Sequence, residues 1–167
     1  MAGTALSSLD VEATFVAGGD IESNSVEQTA AAMRAGAPVI VQGALETNGW
    51  RGRADILRRV EKPSNFGAWS YEMIDTKLAR ETKGSTVLQL CLYSDLLAIS
   101  QGAEPEYAYV VTPETDFQPE AFRIADYAAY YRRDKQGLEK SSAAGTDVGA
   151  LSGPQSPLRR VPLAASL

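Results

Sequence analysis

Two extended segments constrain this chain more than any other part of it: 50–60 (W-R-G-R-A-D-I-L-R-R-V) and 68–77 (A-W-S-Y-E-M-I-D-T-K). The first carries one carboxylate, Asp55, and the second carries two, Glu72 and Asp75, among apolar and aromatic residues. Asn48-Gly49, just before the first, is a strong hairpin signal, because both positions of a type I′ turn need positive φ. The run before it, 38–45 (P-V-I-V-Q-G-A-L), is rich in β-formers. Three strands joined by short connections are expected, in an antiparallel meander. Residues i and i+2 of a strand share a face. Alternation places Arg51, Arg53, Asp55, Leu57 and Arg59 on one face of the second strand. It places Tyr71, Met73, Asp75 and Lys77 on one face of the third. Pairing the two would let Asp55, Asp75 and Lys77 meet.

The flanking text supplies helices. Ser25 and Gln28 form a capping-box pattern, and the alanine-rich run 26–35 after Ser25 favours a helix. Gly36 and Pro38 end it. Ser85 caps a second expected helix, 86–100, apolar around much of its circumference and closed by Gly102. A short strand is expected at 14–17, a further strand at 106–111, and an extended edge at 117–124. Asp126 would cap a last helix at 127–140. The expected class is α/β (α+β), in the order α-β-β-β-α-β, with a mixed sheet flanked by helices. The segmentation reads 1–24 as an N-terminal extension, 25–140 as one domain and 141–167 as a disordered tail, small, polar and broken by Pro and Gly.

Histidine is absent from the 167 residues, which removes imidazole acid–base chemistry, Ser-His-Asp triads and histidine zinc sites together. The single cysteine, Cys91, excludes an internal disulfide or a four-cysteine cluster within this chain. Catalysis would rest on carboxylates, lysine, tyrosine or a metal ion. The net charge of −5 does not announce nucleic-acid binding over the whole surface, though a local basic stripe is compatible with it. No apolar run reaches the roughly 20 residues of a membrane span, and 1–10 lacks a basic n-region, so a soluble cytoplasmic protein is expected.

Two carboxylates with a neighbouring lysine suit a hard cation such as Mg²⁺ or Mn²⁺, which takes oxygen ligands and leaves positions for water and phosphate. The Thr76 carbonyl, between Asp75 and Lys77, could assist. Lys77 could neutralise a phosphate or orient the attacking water. The competing reading is a salt bridge from Asp55 to Arg53 or Lys77 on a solvated strand face. Gln89 and Tyr93, four apart, are the main polar interruptions of one face of the apolar helix and could hold the lysine, a water or a phosphate. They could equally be a rim amide and a core aromatic. Arg51, Arg53, Arg58, Arg59 and Lys62 form a basic stripe beside Asp55, suited either to DNA phosphates or to a charged strand edge.

Taken in order, G-R-A-D, then D-T-K, then Q-x-x-x-Y at Gln89 and Tyr93 resembles the RecB-like branch of the PD-(D/E)XK nuclease superfamily. The flanking G-A-W-S-Y-E-M-I-D-T-K-L-A-R and L-Q-L-C-L-Y-S-D-L-L are similar to RecB-family nucleases often joined to a helicase. The resemblance covers roughly 26–140. It implies a restriction-endonuclease-like αβββαβ core and a DNA nuclease dependent on Mg²⁺ or Mn²⁺, acting in DNA repair on single strands or ends. A helicase domain or subunit is the implied partner. Asp55 and Asp75 would be metal ligands with Thr76 assisting, and Lys77 the catalytic lysine. Gln89 and Tyr93 would support the site and contact DNA, with Arg51 and Arg53 on the phosphates. Glu27 would correspond to the acidic residue that some members place on the first helix, with Glu46 a rival; Glu72, on the opposite face from Asp75, is excluded. Some relatives carry an iron–sulfur cluster, which one cysteine cannot build.

Overall fold

The structure, a computed structural model, describes residues 12–16, 23–78, 84–143 and 159–160. Among these residues seven strands, β1 (Ala13–Phe15), β2 (Val39–Thr47), β3 (Trp50–Val60), β4 (Ser70–Thr76), β5 (Tyr107–Val111), β6 (Glu120–Arg123) and β7 (Arg159–Arg160), make one mixed sheet. Its spatial order is β1-β2-β3-β4-β5-β6, with β7 added beside β3. Among the described residues three α-helices, α1 (Ser23–Arg34), α2 (Gly84–Gln101) and α3 (Ile124–Ala143), accompany it. The expected mixed α+β class, the β2-β3-β4 meander and the helical crossover to a parallel β5 are all present.

Local chemistry explains the elements. Helix α1 buries Ser25, Thr29 and Met33, spaced four apart, against the sheet. The Thr29 hydroxyl donates to the Ser25 carbonyl at 2.8 Å and accepts the Ala44 N–H at 2.9 Å, stitching helix to strand. The helix ends in a Schellman motif, with Gly36 at φ +73° and N–H donors of Gly36 and Ala37 reaching the Met33 and Ala32 carbonyls. Asn48 and Gly49, at φ +50° and +77°, make the expected turn between β2 and β3.

Several boundaries differ from expectation. Helix α1 begins at Ser23, so Ser25 lies inside it, and Gln28 bonds the Asn24 side chain instead of closing a capping box. Asp126 likewise falls within α3, which starts at Ile124 straight after β6. Strand β1 belongs to the sheet, parallel to β2, so the chain before residue 25 is not simply an extension. In the expected tail, α3 continues to Ala143 and Arg159–Arg160 pairs with Trp50 and Arg51; the remainder lies outside the described residues. No helix among the described residues is long and apolar enough to cross a membrane.

The main core lies between sheet and helices, with Ile40, Leu57, Tyr71 and Met73 facing Leu90, Tyr93, Leu96 and Leu97 of α2. A second cluster, Val39, Val41, Ile56, Ile74 and Val111, occupies the other side of the sheet. Strict alternation along β3 does not hold. Leu57 and Ala54, three residues apart, both join the helix-side core, and Gly52 lies against the Tyr93 ring. The phase of the pleat therefore shifts at Asp55, opposite Gln42, which has φ +58°. Asp55 does not share a simple face with Arg53 and Leu57, because it sits at that shift.

Candidate active site

Strands β3 and β4 pair from Val60↔Ser70 to Ile56↔Ile74 and then part, while β4 stays with β5 as far as Thr76↔Val111. The wedge opened between them holds the expected carboxylates. Where the ladder stops, the Asp55 side chain takes over: Oδ2 accepts the Thr76 N–H at 2.9 Å and the Thr76 hydroxyl at 2.6 Å. Its Oδ1 lies 3.4 Å from Gln42 Nε2. Thr76 thus meets Asp55 through its two donors; its hydroxyl was not anticipated from sequence.

Asp75, 5% exposed, has Oδ2 at 2.9 Å from Lys77 Nζ. Lys77 is thus the charged partner of this buried oxygen, which no backbone N–H or hydroxyl reaches among the described residues. Two influences oppose each other at this carboxyl. Burial, aided by the nearby Asp55 charge, raises its pKa, while Lys77 lowers it. Burial wins, and the group is pushed up to about 6. The lysine is shared: its Nζ also donates to Gln89 Oε1 at 3.3 Å. Strand β4 and helix α2 therefore hold Lys77 between them, the arrangement the Gln89 position suggested.

Tyr93, 1% exposed, closes the bottom of the wedge. Its ring lies where a Cβ on Gly52 would be, so only glycine at 52 lets helix and strand approach this closely. The hydroxyl lies beside Gln89 and the Arg53 backbone without meeting hydrogen-bond geometry with either. Burial, with a smaller push from Asp75 and Asp55, raises its pKa to about 12. It is a neutral phenol.

Other expected members are placed differently. Glu27 is exposed on α1, and among the described residues no three of His, Cys, Asp and Glu are grouped to hold a metal, so Glu27 does not complete the Asp55–Asp75 pair. Glu46 is bound to Arg51 across the hairpin, at 3.0 Å. Arg53 Nη1 donates to the Gln42 carbonyl at 2.8 Å. Both arginines thus brace the β2-β3 hairpin beside the wedge. Glu72 points away, as expected, into contacts with β5. Gln42 was missed; its signal was a lone polar residue amid the apolar strand V-I-V-Q-G-A-L.

The donor set is all oxygen, with two close carboxylates, one of them buried beside a lysine. Such a set fits a hard divalent cation held mainly by Asp55 and Asp75, completed by water and phosphate oxygens. No protein-family model matches this chain, and no curated protein matches it in sequence.

Proposed function

We propose that this protein is a RecB-like DNA nuclease, dependent on Mg²⁺ or Mn²⁺ and built on a restriction-endonuclease-like αβββαβ core. The observation that carries the reading is the convergence of Asp55, Asp75, Lys77 and Gln89 in one wedge. They belong to the three motifs that led to the family resemblance. Asp55 and Asp75 would hold the ion, oriented by Thr76 and burial. Bound there, it would supply a water of lowered pKa and neutralise charge on the phosphate. Lys77, steadied by Gln89, would place a cation beside the scissile group. Tyr93 seals the base of the wedge, and Arg51 and Arg53 offer basic character along the strand that leads to Asp55. DNA, as single strands or ends, is the proposed substrate, and a helicase domain or subunit the proposed partner.

The test is cleavage of linear and circular DNA with Mn²⁺ by the wild type, Asp75→Ala and Lys77→Ala. Cleavage by the wild type, lost at least about a hundredfold in both variants, is expected for groups acting on the transition state. Equal residual activity in all three proteins would sink the proposal. One observation favours a second reading: Asp55 is already satisfied by Thr76, and Asp75 is ion-paired with Lys77. A wedge so engaged could serve a non-catalytic DNA-binding or scaffolding domain. DNA binding that persists in EDTA without any cleavage would select that alternative.

A further inference from the structure

On the far side of α2 from Gln89 and Tyr93, a groove of about 340 Å³ runs between α2, α3 and the 104–106 segment. We propose that it binds a small organic oxyanion: a carboxylate or phosphate head on a short apolar body. The reading is independent of the nuclease proposal. Its charges decide the class of ligand. Lys62 is paired with Glu106 at 3.8 Å, and Asp95 is engaged by both Tyr131 and Lys135. That leaves Arg123 and Arg132 as lining cations with no ion-pair partner among the described residues, against one lining carboxylate, Glu104. Two guanidinium groups are suited to bidentate capture of a planar or tetrahedral oxyanion.

Ser94 lies in the wall of the same groove, 2% exposed, with its hydroxyl oxygen closed to solvent. Ala98, Ile124, Ala125 and Ala128 give the remaining wall an apolar character. Burial pushes the Cys91 thiol up to about 11, so the thiol adds no charge to this wall. The volume is at the small end of ligand sites, which restricts the body to about one ring.

Titration of the full chain with benzoate and with phenyl phosphate, followed by calorimetry, tests this. At least one should bind with a submillimolar Kd, and the tighter one names the head group. Phenol, lacking the anion, should bind at least about tenfold more weakly. Arg132→Ala and Arg123→Ala should each weaken binding about tenfold, with unchanged melting temperature. Arg133→Ala, beside Arg132 but outside the groove, should leave binding unchanged. No binding of either acid, equal binding of phenol, or equal losses in Arg132→Ala and Arg133→Ala would overturn the proposal.

Discussion

Strand β4 buries two carboxylates, Glu72 and Asp75, to the same 5% exposure and on opposite faces, and they are solved in opposite ways. Glu72 is surrounded by donors. One oxygen accepts the Tyr107 N–H and the other the Tyr109 hydroxyl, each at 3.1 Å. The Arg58 guanidinium lies 3.6 Å away and stacks over the Tyr109 ring at 4.4 Å. Asp75 instead relies on one lysine that it shares with Gln89, and it faces a second carboxylate. Burial of an acid therefore does not by itself mark a site. The balance between acceptors and donors does: Glu72 ties β3, β4 and β5 together, whereas at Asp75 one shared lysine faces two carboxylates, a balance that a cation or phosphate-bound metal would shift.

The largest expected effect is at the satisfied carboxylate. Glu72→Ala should cost about 3 kcal/mol in denaturant unfolding, because it strands the Tyr107 N–H and the Tyr109 hydroxyl at a buried strand junction. A loss below about 1 kcal/mol would break the comparison, since Glu72 would then be no more structural than Asp75. Next comes Gly52→Ala. The added methyl overlaps the Tyr93 ring, with central strand β3 on one side and buried α2 on the other. Overpacking of that kind should cost about 2 kcal/mol and displace the base of the wedge. If thermal unfolding of Gly52→Ala matched the wild type, the close approach of Tyr93 to β3 would be wrong.

Much of this was legible in the sequence, for definable reasons. Asn48-Gly49 fixed the hairpin because few other residue pairs accept its two positive φ angles. The meander and crossover followed from strand-like runs on either side of short breaks. Lys77 and Gln89 were expected to approach because D-x-K ends a strand and Gln89 interrupts an apolar helix. What escaped was the pleat shift at Asp55. Period-two reasoning assumes an unbroken strand, and only the positive φ of Gln42 shows that this one is interrupted. Gln101, fully buried, also escaped: it bonds the Tyr71 backbone through both its oxygen and its nitrogen, and a helix-end glutamine looks solvated in sequence. The Glu27 expectation rested on the resemblance alone, with no spacing to tie α1 to the wedge.

The smallest effect has the opposite sign and separates the two carboxylates most sharply. Asp75 has a folded pKa of about 6 against an ordinary value of 3.8. The native state therefore holds its proton more tightly than the unfolded chain does. The stability this confers is complete below the unfolded value and is lost as pH rises through the folded one. Two units correspond to about 3 kcal/mol at most, by the 1.36 kcal/mol per unit conversion. Asp75→Asn removes the ionisation cost, which is already net of the Lys77 attraction. The variant should thus be more stable than the wild type by about 1–2 kcal/mol at about pH 8, and the gain should vanish below about pH 4. Glu72→Gln should instead be destabilised at the same high pH, since its carboxylate already has its donors. Millimolar Mn²⁺ should stabilise the wild type and not Asp75→Asn, because an ion that binds only the folded state adds its binding free energy to stability. An Asp75→Asn variant less stable than the wild type at every pH would place Asp75 in the same class as Glu72: a structural ion pair with Lys77.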